Sequence, residues 1–162
     1  MSSKKKIFLS GAAGLAAGCI LTALLVYLLM PGMMIKKYRS RLEFDQTVST
    51  IQTALKEQGW STPGTMNMNK AMAKHGVQFE PRVSLVSLCN ADYASKVLKT
   101  DRYVAALMPC KIAVWEDDSG EVWVSKVNTG LMGKLFGGTI ARIMGGSVAR
   151  DEQRILSSVI KE

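Results

Sequence analysis

The stretch IFLSGAAGLAAGCILTALLVYLLM, residues 7–30, divides the chain into a hydrophobic segment and everything that follows it. No charged side chain occurs between residues 7 and 35. At about 1.5 Å per helical residue the stretch would be roughly 36 Å long, enough to cross a hydrocarbon core of about 30 Å. A helix satisfies its own backbone polar groups, so an unbroken apolar run suits a membrane. The stretch therefore predicts one transmembrane helix over residues 7–30, ended by Pro31 and Gly32.

Both flanks of this stretch are basic. The tail, residues 1–6, carries three consecutive lysines, and Lys36, Lys37, Arg39 and Arg41 follow the stretch. The positive-inside rule therefore does not decide the orientation. We expect the short tail to stay in the cytoplasm, which predicts a single-pass protein of the bacterial inner membrane with a periplasmic domain. Bulky residues stand before Pro31, where cleavage of a signal peptide needs small ones, and this favours an uncleaved anchor.

Small residues recur every fourth position within the hydrophobic segment, at Ser10, Gly14, Gly18 and Thr22. This spacing puts them on one ridge of a helix, where they allow two helix backbones to approach closely. The ridge predicts helix packing and a homo-oligomer. The alternative is that glycine is simply frequent in membrane helices.

The whole chain has 162 residues and a net charge of +8, and these numbers bound what the part outside the hydrophobic segment can be. Without the hydrophobic segment, the remainder is the size of one domain and can bury a core without disulfides. The basic excess is spread out except just after the hydrophobic segment, which favours membrane lipid with anionic headgroups as a partner. No zinc-finger spacing and no aromatic-plus-basic RNA-binding signature occurs, so nucleic acid is not expected as a partner.

Residues 31–128 alternate between strand and helix patterns. Strands are predicted over residues 35–42, 83–88 and 103–108, the last of them central, and a hairpin is predicted over residues 111–127. Helices are predicted over residues 44–59, with Asp45 as the N-cap, and over residues 91–98. These elements predict an α+β domain, a small mixed or antiparallel sheet packed by helices, preceded by one transmembrane helix.

Residues 129–162 return to a helical pattern with an apolar stripe formed by Leu131, Leu135, Phe136, Ile140, Ile143 and Met144. Two glycine pairs, at 137–138 and 145–146, interrupt it. Each glycine lowers intrinsic helix stability by roughly 1 kcal/mol relative to alanine, so other contacts must support these helices. They are expected to pack either on the domain or, as a basic amphipathic helix, on the membrane surface.

Several short pieces of the domain stand in a characteristic order. They are ALKEQGW at residues 54–60, Cys89-Asn90, LMPC at residues 107–110 and the acidic turn EDDSG at residues 116–120. Together they resemble the family known as domain of unknown function 302, over about residues 33–127. The resemblance implies a compact α+β fold and a dimer in soluble relatives. It implies no established activity, and the hydrophobic segment is an addition to the bare domain.

The candidate site rests on the two cysteines of the domain. Cys89 ends one predicted strand and Cys110 precedes another, so the two sulfurs approach each other if those strands are neighbours. They would then form a disulfide, a redox-active dithiol or part of a metal site, or simply pack as small hydrophobic side chains. Asn90 is a candidate ligand as well as a helix cap. The third cysteine, Cys19, lies in the hydrophobic segment as an apolar filler.

The pattern favours a binding module over an enzyme. No nucleophile elbow, phosphate loop or dinucleotide fingerprint occurs, so no catalytic residue and no cofactor is predicted, and only a metal at Cys89 and Cys110 stays open. We expect a membrane-anchored, self-associating binding or interaction module, an accessory subunit with a membrane protein as partner. The alternative is a redox, sulfur- or metal-handling protein that uses the same two cysteines.

Overall fold

The computed structural model describes the backbone of residues 3–161, and the side chains of residue 11 and of residues 13–161. The chain forms two compact units, one that ends at Met34 and one that begins at Ile35. The first unit is the hydrophobic segment, and the second is the domain.

The first unit is one helix, α1, Ser3–Met34. It continues through Pro31 for four residues beyond the predicted end at Met30. Proline removes one backbone hydrogen bond from a helix, but it does not prevent the next turn from keeping helical dihedrals. Within α1, the segment Ala13–Met34 has a mean hydropathy of 2.2 and is long enough to cross a membrane. A signal sequence can share both properties, so they indicate membrane insertion only weakly.

The second unit is built on a five-stranded antiparallel sheet in the order β1-β5-β4-β3-β2. The strands are β1 Ile35–Arg39, β2 Thr65–Asn67, β3 Val83–Leu88, β4 Cys110–Glu116 and β5 Val122–Val127. The predicted hairpin is β4 and β5, joined by the acidic turn. The fold is therefore α+β, as the sequence predicted.

Six helices accompany this sheet, and two of them, α2 and α7, pack in the main core against one of its faces. The helices are α2 Phe44–Glu57, α3 Met68–Ala73, α4 Ala91–Thr100, α5 Thr129–Phe136, α6 Gly138–Arg142 and α7 Ala149–Ser157. Alternate residues of the central strands, such as Val86, Ile112 and Val124, are fully buried on that face. They pack in one hydrophobic cluster with Leu55 of α2 and Ile155 of α7. Burial of these side chains at roughly 1.5–3 kcal/mol each is the main support of the fold.

The predicted strand over residues 103–108 is wrong. Residues Arg102–Leu107 form a 3₁₀ helix between α4 and β4, with Val104 buried and Tyr103 65% exposed. The physical reason is the pairing of β4, because β3 and β5 already occupy both of its edges. A further apolar segment had no place in the centre of the sheet, although its composition suited a strand.

The predicted cap at Asp45 is also wrong. The N-cap residue of α2 is Glu43, and Asp45 lies in the first turn. Its carboxylate instead pairs with Arg82 at 3.1 Å, and Arg82 also pairs with Glu116 at 2.6 Å. A negative charge in the first turn still interacts favourably with the helix dipole.

The C-terminal helices receive their support from the domain. Ile140 is 4% exposed and packs with Val97 of α4 and Val104, while α7 joins the main core. A π-helical segment, Ile143–Val148, connects α6 to α7. Leu135 and Phe136, which belong to the predicted apolar stripe, are instead exposed.

The glycines of this region allow a close approach between α5 and the π-helical segment. A Cβ atom added to Gly133 would lie 2.4 Å from the backbone nitrogen of Gly145 and 2.7 Å from its Cα. Backbone lies on both sides of this contact, so neither side can move away cheaply. The helix-weakening glycine at position 133 is therefore required by packing.

We predict that Gly133→Ala destabilises the domain by about 1–3 kcal/mol, because the added methyl overpacks the contact with Gly145. Gly130→Ala in the same helix is the matched control, since its Cβ would meet only ordinary contacts at 3.5 and 3.9 Å. Urea unfolding of the full chain in detergent, followed by tryptophan fluorescence, measures both. Equal midpoints for Gly133→Ala and the unsubstituted chain would contradict the packing argument.

Candidate functional site

The pairing of β3 with β4 brings the two domain cysteines to one end of the sheet. In the antiparallel register Leu88 lies opposite Cys110, and Cys89 follows Leu88 directly. The backbone of Cys89 is held on its other side by two hydrogen bonds of 2.9 Å with Ser61. The two strands are therefore neighbours, as the approach of the two cysteine sulfurs requires.

Cys89 and Cys110 line the same small cleft, which we call the cysteine cleft. Its volume is about 20 Å³, and its other lining side chains are mostly apolar. They include Trp60, Leu88, Asn90, Tyr93, Met108, Met144 and Val148. A cavity of this volume holds about one water-sized species, so an organic ligand would require side chains to move.

Burial raises the pKa of the Cys110 thiol to about 11, and the negative charges of Glu152 and of a Cys89 thiolate act in the same direction. Lys126 and Lys111 oppose this effect. Because the pKa lies well above neutral pH, Cys110 is a thiol there and not a thiolate. A thiol is a poor nucleophile, so the arrangement gives Cys110 no activation for attack on a substrate.

Asn90 caps α4, which confirms that sequence prediction. Its side-chain oxygen accepts a hydrogen bond of 3.1 Å from the backbone N–H of Tyr93. The first turn of α4 therefore begins immediately after Cys89.

An aromatic wall that sequence reasoning missed closes one side of the cleft. The rings of Trp60 and Tyr93 meet edge to face with centroids 5.8 Å apart. Both donate to one oxygen of Asp151, Trp60 Nε1 at 3.3 Å and the Tyr93 hydroxyl at 3.1 Å. Asp151 is 91 positions from Trp60, and no local pattern connects them. The only signal in the sequence was the residue type. Trp60 and Tyr93 are apolar rings with one polar atom, and such side chains are usually hydrogen-bonded where they are buried.

A buried ion pair that sequence reasoning also missed interacts electrostatically with Cys110. Lys126 Nζ lies 2.6 Å from Glu152 Oε2, and the Thr129 hydroxyl donates to the same oxygen at 2.6 Å. Glu152 is 1% exposed and Lys126 9%. The two charges come from β5 and α7, 26 residues apart, so no local pattern connects them.

His75 and Asp117 do not line the cleft. His75 is exposed near the end of α3, and in the other unit Cys19 is exposed on α1. Asp117 shapes the hairpin turn, where hydrogen bonds from Ser119 and from Trp123 lower its pKa to about 2. Among the described residues, no three or more His, Cys, Asp or Glu side chains come together as a metal-ligand set.

The predicted ridge of α1 is open where it is described. A Cβ atom added to Gly14 or Gly18 would meet no atom within 4 Å. The Thr22 hydroxyl donates to the carbonyl oxygen of Gly18 at 2.9 Å. The side chain of Ser10 lies outside the described residues.

Comparison with known proteins agrees with this fold. The profile of the family called domain of unknown function DUF302 matches residues 36–161. An uncharacterized protein of Aquifex aeolicus (strain VF5) is 29% identical over 119 residues, which are 69% of this chain and 76% of that protein. The crystal structure of an uncharacterized conserved DUF302 protein from Bacillus stearothermophilus superposes with a TM-score of 0.68 at 15% identity, over 77% of this chain and 97% of that one.

We predict that Cys110 reacts slowly with thiol reagents and with an unusual pH dependence. Near neutral pH the thiolate fraction of Cys110 is about 100-fold lower than that of a thiol with a pKa near 9. A thiolate of higher pKa is more nucleophilic, and this raises the rate by only about tenfold. Labelling of Cys110 should therefore be at least about tenfold slower. In the Cys19→Ser/Cys89→Ser variant, the rate with a maleimide should rise about tenfold per pH unit from pH 7 to pH 9 without levelling off.

The matched control for this measurement is an ordinary exposed thiol, Ser49→Cys on α2, in a chain without the three native cysteines. Its labelling should approach a plateau near pH 9. The same plateau at Cys110 would contradict the raised pKa.

Proposed function

The chain belongs to the DUF302 family, whose name states no activity, and we propose from its geometry that it is a membrane-anchored binding module with the cysteine cleft as its ligand site. The observation that carries this proposal is that both domain cysteines line one cleft, together with aromatic and thioether side chains. Such a site is concave, mostly apolar and built from a few convergent polar groups, which is the usual character of a ligand site.

Three features support binding rather than catalysis. Cys110 is protonated at neutral pH because its pKa is raised to about 11. The side-chain oxygen of Asn90 is engaged by the α4 cap. The histidine of the chain, His75, is exposed on another part of the domain, so it offers no general base beside the thiols.

Membrane attachment is part of the same proposal. The helix α1 ends at Met34 and β1 begins at Ile35, so no linker residue separates the hydrophobic segment from the domain. Of the cations that follow, Arg39 pairs with Glu121, and Arg41 donates to the carbonyl of Ser158 at 2.8 Å. The exposed Lys36 and Lys37 are therefore the cations we assign to anionic headgroups.

The proposal places the chain in the bacterial inner membrane with the domain on the periplasmic side. There it would act as an accessory subunit beside another membrane protein, and it would self-associate through α1 and the domain. The small residues at positions 14 and 18 support the helix contact, because the surface they leave on α1 is open.

We predict that Gly14→Leu together with Gly18→Leu lowers the mass of the oligomer that the full chain forms in mild detergent, because leucine side chains keep two helix backbones apart. Ala12→Leu together with Ala16→Leu is the matched control, since these positions fall on the opposite side of the helix by spacing. Light scattering coupled to size exclusion measures the mass. If both pairs leave the mass unchanged, association through the ridge is excluded.

A second candidate function, redox or sulfur chemistry, uses the same cleft. It is favoured by the position of Cys89 immediately before the N-cap of α4 and beside the strand that begins with Cys110. Cys110 would then be the resolving thiol of a reversible disulfide. This candidate requires Cys89 to react with a maleimide faster than an ordinary exposed thiol, whereas a simple binding site requires no such activation.

We predict that a bound ligand protects Cys89 in native membranes. Maleimide labelling of the Cys19→Ser chain, mapped by mass spectrometry, should be several-fold slower at Cys89 in freshly isolated membranes than in the purified, dialysed chain. A Cys introduced at Ser49, which lies on the exposed side of α2, should label equally in both preparations. Equal rates at Cys89 would count against a binding site, and labelling of the purified chain faster than at the Ser49→Cys control would favour the redox candidate.

A further inference from the structure

Four sulfur-bearing side chains line the cysteine cleft. Cys89 follows β3, Met108 and Cys110 flank Pro109 at the start of β4, and Met144 comes from the π-helical segment. They therefore reach one cleft from three separate segments of the chain. Met144 also packs against both hydrophobic clusters of the domain, so its position is supported by the core.

The chemistry of this donor set selects one class of ligand. Thiolates and thioethers are soft donors, which favour Cu(I) over cations that prefer oxygen or nitrogen. No carboxylate and no imidazole is among the residues that line the cleft. Zinc sites usually combine three or four Cys, His or carboxylate ligands, and the described residues contain no such group.

The size of the cleft points the same way. Its volume of about 20 Å³ accommodates roughly one water-sized species. A single ion fits this space.

The proton and charge balance of binding follows from the donor set. Each cysteine binds a metal as a thiolate, so Cu(I) replaces the protons of both thiols, and both protons leave to solvent. Thioether donors are neutral and release no proton. The complex of two thiolates with Cu(I) therefore carries one negative charge.

We propose that the cysteine cleft binds one Cu(I) ion through the sulfurs of Cys89 and Cys110, with the thioethers of Met108 and Met144 completing the coordination. This inference rests on the proposed function, because it names the ligand of the binding site proposed there. Met66 and Met68, two other methionines of the domain, do not line the cleft.

The full chain in detergent, kept anaerobic, should take one equivalent of Cu(I) from the coloured complex of Cu(I) with bicinchoninate. Cys89→Ser and Cys110→Ser should each weaken binding by at least about 100-fold, beyond the loss typical of second-layer partners. Met108→Leu together with Met144→Leu conserves volume, so it should fold, and it should weaken binding by about tenfold. Cys19→Ser and Met66→Leu, the matched controls, should leave the affinity unchanged.

Three results would overturn the proposal. The first is the absence of Cu(I) uptake. The second is an unchanged affinity both in the paired methionine variant and in one of the two single cysteine variants. The third is an X-ray absorption-edge spectrum that shows nitrogen or oxygen ligands in place of sulfur. The Cys89 protection measurement separates the two proposals. Protection in membranes without Cu(I) uptake would leave the binding module and remove copper, whereas the loss of both would remove the binding site itself.

Discussion

The antiparallel register between β3 and β4 is the constraint on which the candidate site depends. It places Val86 opposite Ile112 on the buried face, and two pairs further along it places Leu88 opposite Cys110. A slip by one residue would turn every buried side chain of the strand toward the other face, so the core itself holds the register. The proximity of Cys89 and Cys110 is thus a consequence of core packing, and the same packing fixes the positions of the side chains in the cleft.

The buried pair of Lys126 and Glu152 connects this sheet to the C-terminal helices. It joins β5 to α7 and, through the Thr129 hydroxyl, to the start of α5. Two charges are costly to bury unless each is paired and hydrogen-bonded, so this pair favours one particular arrangement of β5, α5 and α7. Glu152 also acts on the cleft, because its negative charge helps to keep the pKa of Cys110 high. The buried ion pair therefore acts on the same end of the sheet where core packing forms the cysteine cleft.

Prediction from the sequence succeeded where a pattern was local. The β4–β5 hairpin and the α4 cap at Asn90 each depend on neighbours a few residues away, and both are present. Prediction failed where the outcome depended on distant partners. The apolar segment over residues 103–108 was suited to a strand but found both edges of β4 occupied, and Asp45 was suited to a cap but paired with Arg82.

The sequence by itself determined the division into a hydrophobic segment and an α+β domain, because length, apolar periodicity and turn residues are properties of adjacent positions. It also marked Cys89 and Cys110 as ends of strands. Only the tertiary structure decided that they share a cleft with Met108 and Met144, since strand order and helix packing join segments far apart in the chain. It likewise decided that Gly133 is required, because the backbone it contacts belongs to another helical segment.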